Sequence, residues 1–209
     1  MHSPIRVLII ESQTLIRIGI KTILQAQKDI EIFAEAETGD EGFEIFKHTH
    51  IDVVLMSLRL GESCAIDEIG RFLQIAPRVK IIVLASHAGD AEISRSLESG
   101  AFGYICTDVS EADLLKAIRT VTSGKKFIPL NVAEILTENF GQETLTPSEQ
   151  KILQMIVNGK SNKQIAFDSS ISENTVKTHI KNIFDKLGVS DRTSAATLAI
   201  RRGLVRADL

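Results

Sequence analysis

Residues 5–122 repeat one pattern, in which a short apolar run is followed by an amphipathic stretch. The apolar runs are rich in β-branched residues and are bounded by polar residues or glycine, as buried strands are. They predict five strands, at 6–10, 30–34, 51–56, 79–84 and 102–105. Helical spacing between and after them predicts five helices, near 14–26, 40–48, 63–75, 90–99 and 110–122. Five strand-helix units in succession indicate an α/β fold, with a five-stranded parallel sheet covered by helices on both faces.

The pattern changes after residue 122. Residues 123–143 are interpreted as a linker with one short helix near 132–138, and the remaining apolar spacing is helical. Thr146, Pro147 and Glu149 carry the signature of a capping box at the start of a helix that stops at 158–159. Further helices are predicted after 161, after 172–174, and over 193–202. Four short helices with a tight connection between the second and third predict an all-α helix-turn-helix domain, so the expected domains are 1–122 and 144–209.

Composition narrows the class of protein. No apolar run approaches the roughly 20 residues that a membrane helix needs, and Met1 to Pro4 lack a basic region and a signal cleavage site. A cytoplasmic location is therefore expected, without membrane partners. Cys64 and Cys106 are far apart and lack the spacing of a zinc site, so free thiols are expected.

Charge is distributed unevenly along the chain. Residues 1–143 carry 14 Lys and Arg against 21 Asp and Glu, a net charge of −7, whereas residues 144–209 carry 10 against 6, a net charge of +4. Attraction to nucleic-acid phosphates needs local positive charge rather than a basic whole. The basic C-terminal part is therefore a weak indication of nucleic-acid binding.

The third helix of the C-terminal domain has two distinct faces. At 100° per residue, Val176 shares an apolar stripe with Ile180, Ile183 and Leu187, with Phe184 at its margin. The opposite face collects Asn174, Lys177, Thr178, Lys181 and Asp185. Lys and Asn can read base edges in a major groove, and Thr can contact thymine or phosphate. From the residues alone, a merely solvated helix face remains an equal alternative.

Five segments of this domain resemble the LuxR-type helix-turn-helix of NarL/FixJ response regulators. They are 145–149 (LTPSE), 152–153 (IL), 159–166 (GKSNKQIA), 171–179 (ISENTVKTH) and 186–189 (KLGV). The resemblance implies that the chain binds double-stranded DNA, with Lys177, Thr178 and Lys181 on bases. It also implies phosphate contacts near Ser161, Asn162, Lys163, Thr175 and His179, with Asn174 on the same face. Homodimers packed through the last helix, 193–202, on paired half-sites are implied as well.

Two positions depart from the pattern of that family. Ser169 and Ser170 stand where an apolar residue usually ends the scaffold helix, which suggests looser packing between helix and turn. Asp185 lies on the proposed groove face, where the family often has a basic residue. It either repels phosphate or pairs with Lys181 at i, i+4.

The first 122 residues resemble a receiver domain, which accepts a phosphoryl group on an aspartate. That chemistry needs a carboxylate nucleophile, two acids for Mg²⁺, a hydroxyl and a lysine. The matching positions here are Ser57 for the nucleophile, Glu11 and Ser12 for the acids, Ala85 for the hydroxyl and Thr107 for the lysine. Only Glu11 keeps metal-binding character, so the resemblance implies a degenerate, receiver-like (flavodoxin-like) domain that is not phosphorylated on aspartate.

Other candidate groups in this domain are given structural roles. Tyr104, at the position of the receiver's aromatic switch residue, is expected to be a packing residue because its partner hydroxyl is missing. His48, His50 and His87 lack the spacing of a ligand pair, so no metal site is expected. Phosphorylation of Ser57 by a serine kinase is not expected, because Glu11 would repel the product.

The sequence therefore predicts a transcription regulator whose pseudo-receiver acts independently of phosphorylation and serves in dimerisation or signal binding. The alternative is an interaction protein that titrates a kinase or another regulator, with a vestigial helix-turn-helix. No cofactor is expected, and no catalytic constellation or phosphate-binding glycine loop favours an enzyme. A small ligand or an unknown protein at the vacated site near Ser12, Ser57 and Ala85 remains open.

Overall fold

The computed structural model of the chain describes residues 3–61, 63–87, 89–139 and 143–205. It divides into two compact units, the first comprising Met1–Ala88 and Ile93–Glu134 and the second Gly89–Glu92 and Ile135–Leu209. Residues 140–142 of the predicted linker lie outside the described residues, as do residues 1–2 and 206–209 of the predicted domains.

The first unit contains the predicted parallel sheet. Its strands are β1 (Ile5–Ile10), β2 (Ile30–Ala36), β3 (Val53–Ser57), β6 (Lys80–Ala85) and β7 (Gly103–Cys106). They are hydrogen-bonded in the order β2-β1-β3-β6-β7, and every neighbouring pair is parallel. The five predicted strands are thus confirmed. Their β-branched residues favour strands in a sheet that is buried on both faces.

One part of this unit differs from the prediction. Ser63 and Cys64, expected in a helix, form the short strand β5 (Ser63–Cys64), which pairs antiparallel with β4 (Arg59–Leu60). Two-residue strands are too short to show a period-2 pattern, and Gly61 adopts φ 68° between them. The following helix therefore begins two residues later than expected.

The helices between residues 14 and 138 lie close to their predicted bounds. They are α1 (Thr14–Gln25), α2 (Gly39–Lys47), α3 (Ala65–Ile75), α4 (Asp90–Glu98), α5 (Glu111–Thr122) and α6 (Leu130–Glu138). Side-chain caps fix two of the starts, since Thr38 accepts a hydrogen bond from the Glu41 amide and Ser110 accepts one from the Asp113 amide.

Both faces of the sheet are covered. Buried strand residues such as Val7, Leu55 and Ile82 form one core cluster with Leu24 of α1 and Ile118 of α5. On α2 and α3, Phe43 and Phe72 pack edge to face with ring centroids 5.3 Å apart, and Phe46 lies 4.9 Å from Phe72. The α/β architecture inferred from the sequence is confirmed.

The second unit contains the four predicted helices. They are α7 (Pro147–Val157), α8 (Asn162–Ser169), α9 (Glu173–Leu187) and α10 (Arg192–Arg201). Helix α9 begins two residues and α10 one residue before the predicted start, because Ser172 and Asp191 cap the amides of Thr175 and Ser194. Among the described residues, no helix combines the length and the apolar character that crossing a membrane requires.

Candidate nucleic-acid interface and receiver-like site

Helix α9 separates an apolar face from a polar one, as its sequence predicts. Val176, Ile183 and Leu187 are buried in the core of the second unit. Lys177 and Lys181 are exposed, and neither forms an ion pair among the residues that the structure describes. Two ammonium groups therefore project from one helix face without local neutralisation, which is a geometry suited to an anionic partner.

The remaining predicted contact residues surround these two lysines or precede α8. Asn174, Thr175 and Thr178 are exposed, whereas His179 is half-buried. Two of the hydroxyls already have local partners, since Thr178 Oγ1 donates to the Asn174 carbonyl at 3.1 Å and the Thr175 hydroxyl lies 2.8 Å from that of Ser172. In the described part of the chain, no ion pair joins Asp185 to Lys181.

Ser161, Asn162 and Lys163 lie at the start of α8. Ser161 and Gln164 form a second capping box, with a 2.7 Å hydrogen bond from the Ser161 amide to Gln164 Oε1. This capping box was not predicted from the sequence. Ser161 and Lys163 are exposed, and Asn162 is half-buried. A helix N-terminus with free amides and a lysine side chain can receive a phosphate.

Arg192 contacts the residues that lead into α8. This role was not predicted from the sequence. Its guanidinium donates to the carbonyl of Lys160 and lies 3.5 Å from Asn162 Oδ1 and from the Ile156 carbonyl oxygen. Burial lowers the pKa of this guanidinium from its ordinary value. The available signal was a cation in the first turn of a helix, where the dipole disfavours positive charge.

A buried ion pair joins α7 to α9. Glu149 closes the predicted capping box by accepting from the Thr146 amide at 2.8 Å, and the same Oε2 accepts from Lys186 Nζ at 2.8 Å. Lys186 also donates to the Thr144 carbonyl at 3.2 Å. Burial alone would raise the pKa of Glu149, but the hydrogen bonds from Lys186 and Thr146 outweigh it and lower that pKa. The capping box is confirmed, and Lys186 is its additional partner.

The serines at the end of α8 close the turn with backbone hydrogen bonds. Ser170 adopts the left-handed conformation at φ 54°, and its amide donates to the Phe167 carbonyl at 3.2 Å. The next amide, of Ile171, donates to the Ala166 carbonyl at 3.0 Å, and Ile171 packs against the core. This is a hydrogen-bonded helix end with a serine where glycine is favoured.

We expect Ser170→Gly to raise the free energy of unfolding of the second unit by about 0.5–1 kcal/mol. The left-handed conformation costs a residue with a side chain about 1–2 kcal/mol, and the greater freedom of glycine in the unfolded chain offsets part of that gain. Amide hydrogen exchange in peptides of α8 measures the change. Ser169→Gly is the matched control, and it should destabilise because Ser169 lies within the helix. Equal effects of the two substitutions would contradict the assignment.

The positions that resemble a phosphorylation site meet at one edge of the sheet. Ser57 ends β3, Ala85 ends β6, and the Thr107 amide donates to the Ala85 carbonyl at 2.8 Å. Glu11 follows β1, whose last residue is in register with the residue before Ser57. Adjacent parallel strands thus bring Glu11, Ser57, Ala85 and Thr107 to the same edge, while Ser12 is exposed beside them.

Glu11 is fully buried and only half satisfied. Its Oε1 accepts from the Gln13 amide at 2.8 Å, whereas Oε2 has no hydrogen-bond partner among the described residues. Ser57 is also buried. No group of three or more His, Cys, Asp or Glu in the described residues could hold a metal ion. Ordinary Mg²⁺ binding uses several oxygen ligands, and among the five positions that match the phosphorylation site only Glu11 carries a carboxylate.

The other candidate groups of the first unit are buried or have a partner within the same unit. Tyr104 is fully buried, and its hydroxyl donates to the His87 carbonyl at 3.2 Å. His50 lies 3.3 Å from Asp52 Oδ1. Cys64 and Cys106 are buried free thiols, and burial, followed by the Asp108 carboxylate, raises the pKa of the Cys106 thiol.

Two protein families match the chain. The family described as "Response regulator receiver domain" matches residues 7–119, and the family described as "Bacterial regulatory proteins, luxR family" matches residues 143–199. Each match falls on one of the two patterns in the sequence.

Whole proteins are similar to the chain over nearly its full length. It is 38% identical to the transcriptional regulatory protein LiaR of Bacillus subtilis over 209 residues, covering 96% of this chain and 99% of LiaR. It is 33% identical to the response regulator protein VraR of Staphylococcus saprophyticus over 208 residues, covering 97% and 100%. RcsB from Salmonella enterica serovar Typhimurium, solved bound to a promoter, gives a TM-score of 0.74 at 23% identity, covering 94% of this chain and 98% of RcsB. At that identity the likeness supports the fold.

Proposed function

Because this chain belongs to the response regulators that join a receiver domain to a LuxR-type regulatory domain, we propose that it binds specific sites on double-stranded DNA and regulates transcription independently of phosphorylation. One observation supports the proposed DNA binding. Lys177 and Lys181 project from the polar face of α9 without ion partners among the described residues. A helix with that face can enter a major groove.

Each predicted contact residue has a role in this proposal. Lys177, Thr178 and Lys181 contact base edges, and Asn174 adds an amide to the same face. Phosphates lie against Thr175 and His179 of α9 and against the start of α8. There, Ser161, Asn162 and Lys163 offer helix amides and a lysine side chain. Contacts from two helices would fix the orientation of α9 in the groove, and the bases would be read by its central residues.

We propose a homodimer on paired half-sites, packed through α10. Exposed Ile200, near the end of that helix, is 46% accessible and available for such packing. Dimer symmetry then matches a palindromic operator. The proposed domains are a receiver-like domain at 1–122, a linker at 123–143 and a DNA-binding domain at 144–209. The proposed protein is cytoplasmic and has no catalytic activity.

The proposal that this chain acts without phosphorylation rests on the residues at the ends of the parallel strands. Ser57 cannot form an acyl phosphate, and Ala85 and Thr107 supply neither the hydroxyl nor the ammonium that such chemistry uses. Of the two positions that match the Mg²⁺-binding acids, Glu11 alone is a carboxylate, and its Oε2 is buried without a hydrogen-bond partner among the described residues. The first domain therefore acts in dimerisation, or in binding a signal molecule or protein, rather than in phosphoryl transfer.

A titration of DNA with and without phosphorylation reagents tests this part of the proposal. We expect the affinity of the full chain for a duplex selected from a randomised pool to be unchanged by acetyl phosphate, or by BeF₃⁻, each with Mg²⁺. An affinity gain of tenfold or more would overturn independence from phosphorylation. Absence of DNA binding even at low salt, where phosphate attraction is strongest, would favour a protein that titrates a kinase or another regulator.

A further inference from the structure

A cavity of about 700 Å³ opens at the edge of the first unit's sheet where strands begin, the edge away from Glu11 and Ser57. It lies at the starts of β1, β3 and β6, and the last turns of α2 and α3 also border it. The basic side chains that line it are Arg6, Lys47, His50, Arg78 and Lys80, and Asp52 is the one acid. Binding cavities for small ligands generally measure about 300–1,000 Å³.

The acid in this cavity already has partners. Asp52 Oδ2 accepts a hydrogen bond from the Arg6 amide at 2.9 Å, and Oδ1 lies 3.3 Å from His50 Nε2. Lys47 is paired with Glu44 at 2.8 Å. The guanidinium of Arg78, like the charged ends of Arg6 and Lys80, forms no ion pair with a carboxylate of the described residues. The cavity therefore keeps an excess of positive charge.

Aromatic rings hold two of these cations in place without neutralising them. The Arg6 guanidinium lies 4.2 Å from the ring centroid of Phe33, and the Lys80 ammonium lies 3.6 Å from that of Phe102. Cation–π contacts orient a charged group while it keeps its charge. Because these side chains are already ordered, they lose less conformational entropy when they bind an anion.

The surroundings make this concentration of charge unusual. Residues 1–143 have seven more acidic than basic side chains, so a basic cavity is not the background of this part of the chain. A cation near the C-terminal end of a helix can serve the helix dipole, which accounts for Lys47 in the last turn of α2. That explanation does not extend to Arg6 and Lys80, because both lie on strands.

We propose that this cavity binds a small phosphorylated molecule. Arg78 offers a planar donor fork that fits phosphate oxygens, and Arg6 and Lys80 also line the cavity. Ile75 on the wall is 48% exposed and can contact an apolar part of the ligand. The first domain would then receive a chemical signal at the strand-start edge, and not at the edge that carries Glu11.

Isothermal titration calorimetry of the full chain tests the site, with inorganic triphosphate and ATP as probes and adenosine as the uncharged control. We expect one ligand per chain for both phosphorylated probes and none for adenosine. Arg78→Gln and Lys80→Gln should each weaken binding about tenfold or more. Equal affinity for the two probes assigns recognition to the phosphate chain, and tighter ATP binding shows that the nucleoside adds contacts; both results support the site.

Two control variants separate this site from other basic surfaces. Lys116 lines a different groove with Arg119 and Lys125, so Lys116→Gln should leave probe binding unchanged. The Lys177→Ala, Lys181→Ala double variant should also bind the probes normally, which keeps this test independent of the DNA-binding proposal. Thermal melting checks that each variant folds. No binding of either probe would overturn the inference. So would equal losses in Lys80→Gln and Lys116→Gln, or displacement of the probes by duplex DNA that depends on Arg78.

Discussion

Replacement of Lys186 by methionine is expected to lower the free energy of opening of α9 by about 2–3 kcal/mol. The Glu149 carboxylate is only 4% exposed, and this substitution would leave it without its cation. Removing one partner of a buried ion pair costs about 3–5 kcal/mol in other proteins, and the 20% exposure of the Lys186 side chain reduces that cost. Amide hydrogen exchange in α9 peptides of the full chain gives the opening free energy directly.

The control for this experiment lies on the same helix. Lys181→Met removes an exposed lysine that forms no ion pair among the described residues, so α9 should open as in the parent. The double variant Glu149→Gln, Lys186→Met removes both charges and should recover part of the lost stability. A Lys186→Met chain as stable as the Lys181→Met control would contradict the role given to the pair.

The pair also makes the stability of this unit depend on pH. The pKa of Glu149 is lowered below 4.5 in the folded chain, so the folded state favours the ionised carboxylate. Its contribution is therefore fully present above about pH 4.5 and is lost as the pH falls through the lowered folded pKa. Hydrogen exchange in α9 peptides between pH 6 and about pH 3, corrected for intrinsic exchange, should show this loss in the parent and a smaller one in Glu149→Gln.

Lys177→Ala and Lys181→Ala are each expected to weaken operator binding by about 1–3 kcal/mol, which is roughly 5- to 150-fold. Each substitution removes a donor that would face base edges while leaving the buried stripe of α9 intact. A lysine that reads a base should also relax sequence preference at one operator position. Fluorescence anisotropy with the selected duplex and single-base variants of it measures both effects.

Lys151→Ala is the matched control for these two substitutions. Lys151 is an exposed lysine of α7, in the same unit but on a helix assigned no DNA contact. It should change affinity little. If both Lys177→Ala and Lys181→Ala bound the selected duplex as tightly as Lys151→Ala, α9 would not be the reading helix. A loss that is uniform across all sequences would instead assign the lysines to phosphates.

Much of the architecture could be predicted because its causes are local. Buried parallel strands need continuous apolar runs, and the helix starts at Thr146 and Ser172 need a side-chain acceptor at the cap. The hairpin around Gly61 escaped prediction because strands of two residues contain no period. Its hydrogen bonds depend on a glycine conformation, which sequence spacing does not report.

The candidate sites were only partly predictable for a different reason. The polar face of α9 follows from helical geometry, so Lys177 and Lys181 could be placed on it from their spacing. Lys186 and Arg192 could not be assigned, since their partners lie 37 and 32 residues away, at Glu149 and Lys160. Pairings over such distances depend on how the helices pack. The same holds for the basic cavity, which gathers residues from two strands, three helices and the segments next to them.

The buried, half-satisfied carboxylate of Glu11 bears on how this domain could evolve. A mutation of Ser57 to aspartate would supply a nucleophile, but it would also place a carboxylate beside that of Glu11 at the same strand edge, without a lysine at position 107 that could offset it. Two carboxylates that share a desolvated site cannot both ionise without a cost, so that single step would lower stability before it allowed any phosphoryl chemistry. Several simultaneous replacements would be needed before this edge could accept a phosphoryl group on an aspartate. If the first domain acts without phosphorylation, as proposed, aspartyl phosphorylation would be hard to gain one mutation at a time, and later changes would be freer to build a different input.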